Sequence, residues 1–155
     1  MSKTEHIRKS HNVSLIMYHF VCPSKYRRVV FEEKIDLYLK EICLEIENRY
    51  EIIFLEIWTD KDHVHFLIQW IPKMSPTEII TIIKSLTSRE IFSKFPEVKK
   101  KLWWWKFWSS WFYVNTVWQH WNEEIIRKYV QNQWNENKYK QIYKWTINEN
   151  QLTLL

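Results

Sequence analysis

A chain of 155 residues fits one compact domain better than two. Its 46% hydrophobic and 26% charged residues exclude wholesale disorder and the fibrous classes. The formal charge of +5 leans towards a polyanionic partner without requiring one.

No stretch approaches the roughly 18 apolar residues of a membrane span, and Met1 to His11 is polar, without the apolar core of a signal peptide. The expectation is a protein with no membrane partner. Cys22 and Cys43 are too few for a disulfide framework and lack metal-binding spacing, which points to a reducing, cytoplasmic setting. The chain contains no glycine, where average usage would supply roughly 11. It contains 11 tryptophans.

In chain order, Val13 to Val21 reads as a β-branched and aromatic strand ended by Pro23, followed by the basic turn Lys25-Tyr26-Arg27-Arg28. Phe31 to Asn48 reads as an amphipathic helix carrying Ile35, Leu37, Leu39, Ile42, Cys43 and Ile46. Strands over 51–58 and 63–71 flank the polar turn Thr59 to Asp62, which predicts an antiparallel hairpin. Ser75, Pro76 and Glu78 form a capping-box signature that opens a second helix, predicted to run to about Phe92. Pro96 reads as a breaker beyond it. A strand over Phe112 to Val117 comes next, then a last helix capped by Asn122, with Glu123 and Glu124 early and Arg127 and Lys128 late. The order β-α-β-β-α-β-α predicts an α+β, ferredoxin-like βαββαβ antiparallel sheet with an added C-terminal helix. Residues 1–134 would form the domain and 135–155 a variable tail of it.

His63-Val64-His65 opens the third strand. Alternate strand residues share a face, so the two imidazoles project together and can chelate a divalent metal. A His-x-His pair is also common as an ordinary packed or surface feature; here Asp60 and Asp62 precede it, at an edge where a buried strand meets a polar turn. Tyr129 and Gln133 stand four apart on one helix face, where a phenol and a carboxamide could meet a metal-bound phosphate, or where the ring could simply pack on the sheet. Basic and aromatic residues interleave at Lys25 to Arg28, at Lys84 with Arg89, and at Lys99 to Lys106. That mixture suits single-stranded nucleic acid and equally describes a solvated charged face.

The stretches Tyr18 to Pro23, Tyr26-Arg27-Arg28, Thr59 to Ile68, Lys84 to Phe92, Phe107 to Ser110 and Ile126 to Gln133 together resemble the IS200-like (TnpA) HUH single-tyrosine transposases of bacterial insertion sequences. The resemblance covers about residues 12–134. It implies that His63, His65 and Gln133 hold one divalent ion, Mg²⁺ or Mn²⁺. Tyr129 would attack single-stranded DNA at hairpin-bearing element ends to form a 5′-phosphotyrosine, and a homodimer would share the tyrosine helix between subunits. Lys25, Arg27, Arg28 and Arg89 become candidates for DNA contacts. Two other readings fit the same residues: a domesticated relative acting on dispersed palindromic repeats, and a non-catalytic single-strand-binding module.

Against that family, Trp58, Trp70, Trp104, Trp105, Trp111, Trp118, Trp121, Trp134 and Trp145 stand where relatives carry glycine, whereas Trp103 and Trp108 look like tryptophans proper. Trp134 comes just after the last predicted helix, where a left-handed C′ residue is usually glycine. The expectation is that the source organism reads UGA as glycine.

Overall fold

The computed structural model describes residues 6–103, 106–117 and 140–144. A short hairpin, β1 (Ile7–Lys9) with β2 (Asn12–Ser14), precedes the main sheet. The main sheet is built from β3 (Ile16–Pro23), β4 (Ile52–Thr59), β5 (His63–Trp70), β6 (Tyr113–Val117) and β7 (Lys140–Lys144). Its strand order is β6-β3-β5-β4-β7, and every neighbouring pair is antiparallel. Without β7 this is the predicted ferredoxin-like βαββαβ arrangement, with β3 and β5 at the centre. The predicted C-terminal helix, with Tyr129 and Gln133 on it, lies outside the described residues.

Helices α1 (Glu33–Arg49) and α2 (Pro76–Lys94) cover one face of the sheet. On α1 the buried apolar set is Ile35, Leu39, Ile42, Cys43 and Ile46, a 3.6-residue stripe, with the Asp36 carboxylate buried beside it. Leu37 was expected on that stripe and is exposed instead, because two residues from Ile35 it falls on the far side of the helix. α2 begins as its sequence dictates. Ser75 accepts a hydrogen bond from the Glu78 amide at 3.2 Å, the Glu78 carboxylate takes one from the Ser75 amide at 2.7 Å, and Pro76 occupies the first turn. Pro96, read as a breaker, opens the six-residue helix α3 (Pro96–Lys101), since proline at the first helical position forfeits no hydrogen bond.

All eight residues of β5 are buried. Val64, Phe66, Ile68 and Trp70 enter the main core under the helices with Phe20 and Leu39. The alternate set shares the opposite face with a second, smaller cluster of Met17, Leu55, Trp58, Leu67 and Val117. A bulge between Phe54 and Glu56 resets β4 so that Trp58 pairs with His65 across that face.

Candidate active site

The histidine pair lies where the sequence places it. His63 and His65 leave β5 on the face away from the two helices, at 3% and 0% exposure, while Val64 points into the main core. Their ring centroids are 5.2 Å apart.

The turn before them is fixed from several sides. Asp60 closes it with its amide on His63 O at 2.9 Å, and the Lys61 amide donates to Asp60 Oδ1 at 2.7 Å. The Ser24 amide donates to Asp62 O at 2.8 Å, and the Val30 amide to Lys61 O at 3.0 Å. The segment after β3 therefore clamps the turn that carries the acids. Asp60, Asp62 and His63 each offer a ligand atom, and these atoms all lie within 4.8 Å of one another.

Each histidine is held through Nδ1. Asp62 Oδ1 lies 2.6 Å from His63 Nδ1, and the other oxygen of the same carboxylate accepts from Arg27 Nε at 3.0 Å. His65 Nδ1 lies 2.9 Å from His19 Nε2, with the two rings near parallel at 14° and their centroids 5.1 Å apart. The pairing comes from sheet register: His65 is opposite Val21, so His19, two residues away on β3, is its diagonal neighbour on the same face. Burial holds both rings neutral, bringing His19 down to about 4 and His65 to about 2, the latter helped by its two neighbouring histidines. Neutral imidazole is the form that binds metal. Two imidazoles with adjacent carboxylates are a donor set that fits a divalent cation.

His19 went unassigned at the sequence level, although it lies within the Tyr18 to Pro23 stretch that carries the family resemblance. Its signal was a polar residue inside an otherwise apolar strand. Tyr129 and Gln133 fall outside the described residues, so the structure neither joins them to nor separates them from the histidines.

The four basic candidates lie at two places. Lys25 and Arg27 belong to a single 3-10 turn, and Arg28 ends it. Tyr26 and Arg27 there take φ of 56° and 53°, the left-handed region. Arg27 is tied to Asp62, and the Arg28 guanidinium lies 6.0 Å from the Trp103 ring. Arg89, on exposed α2 surface, pairs with Glu90 at 3.5 Å.

A groove of about 680 Å³ opens between α2 and residues 106–110. Lys84, Lys99 and Lys106 line it together with Ser85, Ser88 and Phe92, and no acidic residue does so among the described residues. Lys84 anchors its wall by donating to Ser109 O at 2.8 Å and Trp111 O at 3.0 Å. Lys99 Nζ sits 5.9 Å from the Phe92 ring centre. The loop is joined to the site end of the sheet through the Lys25 amide on Phe107 O and the Ser109 amide on Pro23 O.

Residues 12–133 match the family described as "Transposase IS200 like". The chain is 30% identical over 102 residues to the ISDra2 transposase TnpA of Deinococcus radiodurans, covering 64% of this chain and 71% of that one. It is 32% identical over 104 residues to the transposase for insertion sequence element IS200 of Salmonella typhimurium, covering 64% and 66%. Among solved structures, one assigned as a transposase from Deinococcus radiodurans superposes with a TM-score of 0.67 at 26% identity, over 82% of this chain and 97% of that one. A REP-associated tyrosine transposase bound to a REP hairpin shares the fold, with a TM-score of 0.53 at 10% identity over 81% and 68%.

Proposed function

The chain belongs to the IS200-like transposase family, and on that premise we propose that it cleaves and rejoins single-stranded DNA at insertion-sequence ends through a 5′-phosphotyrosine on Tyr129. The observation that carries the reading is the buried pair His63 and His65, side by side on one face of β5 and each engaged at Nδ1, so that Nε2 would be the ligating nitrogen.

His63, His65 and Gln133 would hold one divalent ion, Mg²⁺ or Mn²⁺, with the Asp62 carboxylate behind the His63 ring at Nδ1. When bound, such an ion polarises the scissile phosphate and offsets charge that develops on its oxygens. The Tyr129 oxygen forms a bond to phosphorus while the bond from phosphorus to the 3′ oxygen breaks. The phenol gives up its proton and the departing oxygen gains one, becoming a 3′-hydroxyl. A phenol with an ordinary pKa near 10 is mostly protonated at neutral pH, so lowering the charge on the phosphate lessens the demand on it. Because the phosphodiester is exchanged for a phosphotyrosine ester, the later attack by a 3′-hydroxyl reverses the reaction without ATP.

The basic groove beside α2 and the turn at Lys25, Arg27 and Arg28 supply positive charge for the DNA backbone, with Arg89 on the outer surface of α2. Hairpin-bearing ends are the expected substrate and a homodimer the expected assembly. Purified protein incubated with labelled single-stranded element ends should yield an SDS-resistant protein–DNA adduct that EDTA abolishes. Binding without an adduct in Mg²⁺ or Mn²⁺ would instead identify a non-catalytic DNA-binding module.

A further inference from the structure

We propose that His19 is a positioning residue for the active site, one that selects the tautomer of His65 able to ligate metal; this rests on the reading of His63 and His65 as metal ligands. His19 does not share the edge at which His63 and Asp62 meet. It sits inside β3, at 2% exposure, between the apolar neighbours Tyr18 and Phe20. Packing alone would be served by a phenylalanine of similar shape, and a polar ring buried in a sheet is stabilising only when its nitrogens find partners.

The contact at 2.9 Å joins one nitrogen of each ring, so one must donate and the other accept. If His65 Nδ1–H donates to His19 Nε2, then His65 Nε2 carries a lone pair and can ligate. With the reverse arrangement His65 Nε2 holds the proton and cannot. Metal binding through Nε2 therefore requires His19 to act as an acceptor, with its own proton on Nδ1. Near-parallel rings and a diagonal register across two central strands make the contact part of the sheet.

The neighbouring histidine has the equivalent device in another chemistry. A carboxylate oxygen of Asp62 meets His63 Nδ1, and Arg27 holds the second oxygen. A metal-ligating histidine ordinarily passes its other N–H to such an outer partner. Here one ring uses an acid and the other a neutral imidazole.

The test uses the full-length protein, Mn²⁺ as probe and two substitutions. His19→Phe keeps the ring and removes the acceptor; His19→Gln keeps an acceptor oxygen. Calorimetric titration should show Mn²⁺ binding weakened about 10–100-fold in His19→Phe, with far-UV circular dichroism unchanged, and most of the loss recovered in His19→Gln. Mn²⁺ binding by His19→Phe equal to wild type would overturn the proposal, as would a folded His19→Gln as weak as His19→Phe. If the phenylalanine variant does not fold, ¹⁵N NMR of the metal-free wild type decides: His65 protonated at Nδ1 supports the assignment, and His65 protonated at Nε2 overturns it. A wild type that takes up no Mn²⁺ contradicts the metal reading of the site, which is a separate failure, because the NMR tautomer reports on the His19 contact independently.

Discussion

Asp62 Oδ1 lies 2.6 Å from His63 Nδ1, and because Arg27 occupies the other oxygen of that carboxylate, Asp62 has one oxygen for each partner. Asp62→Ala removes the group that orients the His63 ring and brings a negative charge close to the ligand atoms. Mn²⁺ affinity, measured by calorimetry, should fall about 10–100-fold. Arg27→Ala leaves the carboxylate in place and should cost less. Equal losses in the two variants would mean that Asp62 orients His63 only while Arg27 holds its second oxygen.

The groove beside α2 predicts a salt signature. Lys99 and Lys106 line it, whereas Lys84 is committed to the carbonyls of Ser109 and Trp111. Replacing Lys99 and Lys106 together by alanine should weaken binding of single-stranded DNA. If each lysine meets one phosphate, the slope of log affinity against log salt should decrease by about 1 to 2 in fluorescence anisotropy titrations. An unchanged slope would remove the groove from the DNA path.

Acid should destabilise the metal-free protein in a defined direction. Burial brings His19 down to about 4 and His65 to about 2 from the ordinary 6.5. Below pH 6.5 the unfolded chain therefore takes up protons on these two residues that the native state does not, and stability falls as pH falls towards the native values. Two such groups give a limiting slope of about 2.7 kcal/mol per pH unit. Asp36 and Glu47, whose carboxyls burial pushes up, act in the opposite sense at the acid end, since the native state protonates them first. Urea melts in EDTA at stepped pH should show the loss, and His19→Phe should flatten it. A wild-type curve flat from pH 6.5 to about 5 would contradict the neutral burial of both rings.

Trp103, just past α3, has φ of 56° and is 67% exposed. A bulky residue in the left-handed region is strained, so Trp103→Gly should leave stability unchanged or raise it by about 1 kcal/mol in urea unfolding. A loss of stability would mean that the Trp103 contact with Arg28 outweighs the strain. The tryptophans at family glycine positions make a separate prediction, because protein from the native host would have an intact mass matching glycine at nine of the 11 tryptophan positions. A mass matching 11 tryptophans would end the recoding hypothesis.

Much of the frame was legible because its signals are local. Ser75, Pro76 and Glu78 specify the start of α2 within four residues, and the alternation around Val64 assigns both histidines to one face. What was missed depends on partners distant in sequence. His19 becomes meaningful only when β3 and β5 are paired in register. β7 was read as tail: its polar sequence Lys140-Gln141-Ile142-Tyr143-Lys144 becomes a strand by pairing with the β4 edge, where Gln141 Nε2 donates to Glu56 Oε2 at 3.2 Å. Tryptophan positions resisted reading for another reason. Trp103, taken as ordinary, has the left-handed backbone, while Trp58 and Trp70 lie buried in strands, with the Trp70 ring stacked 4.2 Å from Tyr18. Tyr129 and Gln133 rest on sequence and family alone.

Locating the covalent link tests the tyrosine mechanism most directly. Protein incubated with a single-stranded element end and Mn²⁺, digested with protease and nuclease, should yield one nucleotide-bearing peptide, modified at Tyr129 through a 5′ phosphate. The Tyr129→Phe variant should bind the same DNA and yield none. A link at another residue, or an adduct that persists in Tyr129→Phe, would contradict it.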